Sequence, residues 1–177
     1  QAAKFWQRGE VDVHYGSGVT YSKKLDISPL EQFRRGLKFC TGITSPSKIL
    51  NADWKMYAPT WVVPNYIDAP RYLPHKNTHV KTTNDLIIGW GGSMSHSLSF
   101  SRSGVALALR RVLKKHKHVK FMLCGDKRIL DIVKLPPEQV IFRNYVTWKE
   151  WPVTLKSFDI GIAPLAGIYD DSRSYIK

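Results

Sequence analysis

The stretch DLIIGWGGSMSHSLSF, Asp85 to Phe100, sets glycines, serines and a histidine directly behind an apolar run. Glycine lets backbone N–H groups approach a ligand without an intervening side chain. Serine hydroxyls add donors, and a following helix would add partial positive charge at its first turn. An anion such as phosphate suits that set. Gly91, Gly92, Ser93 and His96 are therefore the first candidates, with a purely structural tight turn as the alternative. The spacing of Gly91, Gly92 and Gly104 is not the dinucleotide G-x-G-x-x-G, and no Gly-Lys-Ser/Thr marks a P-loop.

A second donor-rich stretch closes the chain. YDDSRSYIK carries Ser172, Arg173, Ser174 and Lys177 after an apolar segment ending in Ala-Pro-Leu. Two such loops on one sheet edge would suit a pyrophosphate, and Asp170 and Asp171 could meet sugar hydroxyls. An exposed polar loop is the alternative here.

The elements that must position these loops can be read from periodicity. Leu86–Trp90, Val119–Cys124, Val140–Val146 and Phe158–Ala163 read as strands. Ser101–His116, Lys127–Lys134 and Trp148–Lys156 read as helices between them. Alternating strands and helices mean a parallel sheet covered on both faces. Ligands of such sheets bind at the carboxyl ends of the strands. That rule places CGDKR, with Asp126, and NYVTW, with Asn144 and Tyr145, beside the glycine stretch.

Earlier in the chain, Val11–Gly18 reads as a strand entering a glycine loop. Helices are expected from Pro29 to Cys40 and from Lys48 to Ala58, with strands at Gly42–Ser47 and Thr60–Asp68. Residues Ala69 to Asp85 are rich in breakers and read as a linker. The expected division is 1–78 and 79–177.

The 177 residues are 43% hydrophobic, enough for a core, and carry a formal net charge of +13. That charge points to an anionic partner. Nine cations crowd the span from Arg102 to Arg128 against a single acid, Asp126. They read as a solvated helix face, a membrane-surface patch or a polyanion patch. No stretch is apolar for long enough to span a bilayer, and no signal-peptide pattern follows Gln1. Cys40 and Cys124 have no metal-type neighbourhood and are expected to be buried free thiols of a reducing compartment. No metal is expected, since the histidines are scattered and no Asp-x-Asp occurs.

The ordered set TGITSPSKIL, WVVPNYID, IIGWGGSMSH, VKFMLCGD and FDIGIAPL…DDSRSYIK resembles the retaining family-four glycosyltransferases, over roughly Thr41 to Lys177. The resemblance implies a GT-B-like α/β fold. It implies that the second half is a Rossmann-like donor domain, with helices on both faces of a parallel sheet, and that the first half is part of another Rossmann-like domain. It implies a nucleotide-diphosphate-sugar donor, a saccharide, lipid-linked or protein acceptor, and no metal cofactor. Gly91, Gly92 and Ser93 match the glycine loop facing the donor phosphates. Ser172, Arg173, Ser174 and Lys177 match a Ser-Lys-Ser…Lys stretch at the phosphate and sugar, with Arg173 where the pattern usually has Lys. Asp126, Asn144 and Tyr145 fall in the base region, and Pro64–Asp68 at the crossing between domains. His14, in VHYGSG, matches a histidine near the transferred sugar and is the candidate catalytic residue.

The family's ribose-holding glutamate would follow Lys177, where this sequence ends. The chain therefore reads as a piece of a longer enzyme, expected to be inactive alone. The resemblance points to the cytoplasm, with peripheral contact at the inner face of an anionic membrane. A non-catalytic nucleotide- or phosphate-binding module is the first rival reading. A nucleic-acid binder is the second, and it is disfavoured because no RNP-like or helix-turn-helix pattern accompanies the charge.

Overall fold

A computed structural model describes residues 10–14, 20–24, 26–75, 84–93 and 96–167. These fall into two compact units that meet in sequence between Tyr66 and Ile67. The expected boundary at 78/79 lies outside the described residues.

In the first unit, β1 (Glu10–His14) pairs antiparallel with β2 (Thr20–Lys24), His14 opposite Thr20. Helix α1 (Pro29–Leu37) starts at Ser28, whose hydroxyl accepts from the Glu31 N–H at 3.2 Å. Pro29 suits the first helical position, where no N–H is needed. Strand β3 (Ile43–Ser45), helix α2 (Lys48–Trp54) and strand β4 (Thr60–Val62) form a parallel β-α-β unit, Ile43 opposite Thr60. Buried Ser47 caps α2 by accepting from the Leu50 N–H at 3.2 Å.

The second unit begins with a short helix, α3 (Ala69–Tyr72), and a 3-10 turn at Leu73–His75, so part of the expected linker is structured. Its sheet holds four parallel strands in the order β7-β6-β5-β8: β5 (Leu86–Gly92), β6 (Val119–Gly125), β7 (Val140–Arg143) and β8 (Ile160–Gly161). Side chains alternate across it. From β5, Ile88 and Trp90 enter a core built with Phe100, Leu109, Leu113, Phe121, Leu123, Ile129 and Val133. Those residues come from β6 and from helices α4 (Ser97–Arg102), α5 (Val105–Lys115) and α6 (Ile129–Val133). Each fully buried large side chain contributes about 1.5–3 kcal/mol. Trp90 meets Phe100 edge-on, ring centroids 4.8 Å apart.

The opposite face is covered by helix α7 (Trp151–Leu155) and the turn after it. Phe158 lies over Gly89, and Trp151 over Gly91. Ser157 donates to the Met122 sulfur at 3.4 Å on the same side. The expected α/β class, with a parallel sheet covered on both faces, is what the chain forms.

The expected helix Ser101–His116 is two helices. Gly104 takes a left-handed conformation, φ 77°, and separates α4 from α5. The apolar spacing of Val105, Leu109, Val112 and Leu113 belongs to α5 alone. Cys40 is exposed, not buried, whereas Cys124 is buried as expected. Among the described residues no helix is long and apolar enough to cross a membrane.

Candidate functional site

The strand order gives the site its place. Numbered within the sheet, β5 to β8 run 3-2-1-4, so the topology reverses between β5 and β8. Crevices in open parallel sheets form at that point, outside the carboxyl ends. A wide-open groove of about 550 Å³ lies on the β8 side of that point, lined by Ser103 and Gly104 before α5, Val105 and Ala108 within it, and Gly161–Pro164 from the end of β8 onward. A β-carbon on Gly104 or Gly161 would meet nothing within 4 Å, so both glycines border open space. Ser103 Oγ accepts from the Val105 N–H at 3.3 Å, holding the first turn of α5 in shape. The sequence reading missed Ser103 and Gly104 because it ran one helix through them. The signal available was a glycine beside serine inside a helical pattern.

The glycines of the first candidate loop lie elsewhere than expected. β5 runs through Gly92, so Gly91 and Gly92 are strand residues. A β-carbon on Gly91 would come within 2.3 Å of the Trp151 ring, and one on Gly92 within 2.7 Å of the Trp90 ring. Close packing of aromatic rings accounts for both. Ser93 follows directly, half-buried, and its carbonyl accepts from the His96 N–H at 3.1 Å. The His96 ring stands edge-on to Trp90 at 6.1 Å. Residues 94–95 lie outside the described residues.

At the end of β6, Gly125 has φ 130° and Asp126 follows. The Asp126 N–H donates to the Gly92 carbonyl at 3.2 Å, which joins the two strand ends. Arg128 grips the Asp126 carboxylate twice, Nε–Oδ1 at 2.9 Å and Nη2–Oδ2 at 2.6 Å. The Arg128 N–H adds a third bond to Oδ1 at 3.0 Å. Hydrogen bonding from Arg128 holds the Asp126 carboxyl below its ordinary range, against a smaller opposing effect of burial. Its side chain is 12% exposed.

At the end of β7, the Asn144 carbonyl accepts from the Cys124 thiol at 3.3 Å. Burial pushes that thiol up, outweighing the Val146 backbone hydrogen bond and the Arg143 charge. Tyr145 is 61% exposed. Partial desolvation raises its phenol, and the Asp126 charge raises it further. The loop then closes on a turn before α7, where the Thr147 N–H and hydroxyl donate to Glu150 Oε2 at 2.8 and 2.7 Å. These bonds, the backbone one first, hold the Glu150 carboxyl low.

Asp126, Asn144 and Tyr145 thus come together at the carboxyl ends of adjacent strands, on the edge that also carries Ser93. His14 ends β1 in the first unit. Ser172, Arg173, Ser174 and Lys177 lie outside the described residues. Among the described residues no group of three or more His, Cys, Asp or Glu could hold a metal ion.

The basic cluster divides by role. Arg110 Nη1 donates to the carbonyls of Val133 at 2.9 Å and Ile132 at 3.5 Å, capping the end of α6. Lys120 pairs with Asp85 at 2.8 Å. Arg111, Lys114, Lys115 and Lys117 are exposed.

No protein-family model matches the sequence, and no curated protein matches it. Among solved structures, the chain is similar to a mutant of S. aureus TarM in complex with Fondaparinux, alpha-GlcNAc-glycerol and UDP. The TM-score is 0.49 and the identity 13%, over 85% of this chain and 30% of that one. The chain therefore spans less than a third of that structure's chain.

Proposed function

We propose that the second unit binds the donor of a glycosyltransferase, which transfers a sugar from a nucleoside-diphosphate sugar with retention at the anomeric carbon. The observation that carries this reading is the open groove on the β8 side of the point where the strand order reverses, between the start of α5 and the end of β8. The sequence resemblance independently assigns donor binding to this half of the chain.

In this reading the diphosphate lies along the groove, and Asp126, Asn144 and Tyr145 border the base. The bond from the anomeric carbon to the phosphate oxygen breaks, and the bond to an acceptor hydroxyl oxygen forms on the same face as the hydroxyl proton passes to the departing phosphate oxygen. Negative charge grows on the leaving diphosphate. Preorganised donors are the usual means of stabilising such charge. Ser93 and the first turn of α5 are the proposed donors in this unit, and the resemblance assigns the same task to Ser172, Arg173, Ser174 and Lys177. The resemblance assigns the transferred sugar to His14. No metal is assigned a role, and the acceptor is a saccharide, a lipid-linked sugar or a protein. The exposed Arg111, Lys114, Lys115 and Lys117 are proposed to meet an anionic membrane surface.

Titration calorimetry with UDP, GDP, ADP and CMP tests the donor reading. Binding of one diphosphate, weakened by Ser93→Ala and by Tyr145→Ala, is expected. Single-stranded RNA binding with steep salt dependence, and no nucleotide binding, would instead support the nucleic-acid alternative.

A further inference from the structure

We infer that Arg71 is a positioning residue for the loop that carries Asn144 and Tyr145, acting through Trp148; this rests on the donor-site reading above. The Arg71 guanidinium carbon lies 3.9 Å from the centroid of the Trp148 ring. Arg71 is itself aimed by Asp68, Nη2–Oδ2 2.8 Å. Asp68 precedes α3 yet makes no side-chain capping bond to it. Its carboxylate is turned to Arg71. The ring is also approached by Lys149 Nζ at 5.4 Å.

The loop between β7 and α7 is thus fastened at three places, from β6, from its own Glu150 and from α3. Cys124 of β6 holds the Asn144 carbonyl, Glu150 holds Thr147, and Arg71 of α3 holds Trp148. The first two ties are local to the sheet edge and the helix start. The Arg71 tie comes from before β5, from the segment that leaves the PNYID stretch. Trp148 is 58% exposed, so little apolar packing fixes it in place of the cation. A cation over an indole face is the strongest of the cation–π pairs. Without it, the middle of the loop would have to be ordered when a ligand binds, and that cost would appear as lost affinity. The loss therefore falls on nucleotide affinity.

Four proteins test this: the wild type, Arg71→Ala, Arg71→Lys and Trp148→Phe, each first checked for an unchanged melting transition. Affinity for UDP, GDP, ADP and CMP and amide hydrogen exchange over residues 144–150 are both measured. Arg71→Ala is expected to weaken the diphosphate that binds wild type by roughly 3- to 10-fold. It should also speed exchange across the loop and shift the Trp148 emission. Arg71→Lys and Trp148→Phe, which keep a cation and a ring, should fall between. Wild-type affinity together with wild-type exchange in Arg71→Ala would overturn the inference. If wild type binds no nucleotide, the donor-site reading falls. Unchanged exchange in Arg71→Ala would then overturn the positioning role, and faster exchange would uphold it as a role in loop order.

Discussion

Gly125 packs its α-carbon against the backbone of Gly92. A β-carbon there would stand 2.1 Å from the Gly92 carbonyl oxygen, and its φ of 130° is one that side chains rarely adopt. β6 therefore ends in glycine because its main chain approaches that of β5 at Gly92, and the Asp126 N–H completes the junction.

Gly125→Ala should consequently be among the costliest single substitutions in the second unit. Neither backbone can yield as a flexible side chain would. Roughly 2–4 kcal/mol of lost stability is expected, read from the midpoint of urea unfolding.

Much of this was legible in advance, and the failures have physical causes. The strand cores at Leu86, Val119, Val140 and Ile160 announce themselves as apolar runs between breakers. Gly91 and Gly92 look like a loop because their partners, Trp151 and the Trp90 ring, are invisible to local pattern. Gly104 hides inside a helical pattern that continues on both sides, though its φ of 77° ends one helix and starts another. The placement of Asp126, Asn144 and Tyr145 on one edge follows from strand alternation alone. The Arg71–Trp148 contact joins residues far apart in sequence, and no spacing rule reaches that far.

Arg110 and Arg111 are neighbours in one basic run, yet they should respond differently. Arg110→Ala leaves the Ile132 and Val133 carbonyls without their charged donor and should cost about 1.5–3 kcal/mol. Arg111→Ala removes an exposed cation and should stay within about 0.5 kcal/mol. Parallel urea titrations of the two variants give the comparison.

The Asp126–Arg128 pair predicts a pH dependence of definite sign. The folded carboxyl titrates below its unfolded value of about 3.9, so the folded state binds fewer protons through that range. Its contribution is fully present above the unfolded value and is lost as pH falls through the folded one. Asp126→Asn should flatten the acid limb of the stability–pH curve while leaving the neutral plateau lower. Thermal melts from about pH 5 downward, through and below the unfolded value, would reveal it.

The two thiols should separate in a labelling experiment. Cys40 is exposed and should react with a thiol reagent in the native protein. Cys124 is buried, and its thiol is pushed up by desolvation, so it should react on unfolding. A native count of two fast thiols would contradict the burial of the β6 end.

The most direct measurement is amide chemical-shift mapping of the chain as each of UDP, GDP, ADP and CMP is added. The account predicts that one diphosphate moves the amides of Ser93, Asp126, Asn144 and Tyr145, together with Gly104 and Ala163 along the groove. Shifts confined to Arg111, Lys114, Lys115 and Lys117, or none with any nucleotide, would contradict a donor site at the carboxyl edge of the sheet.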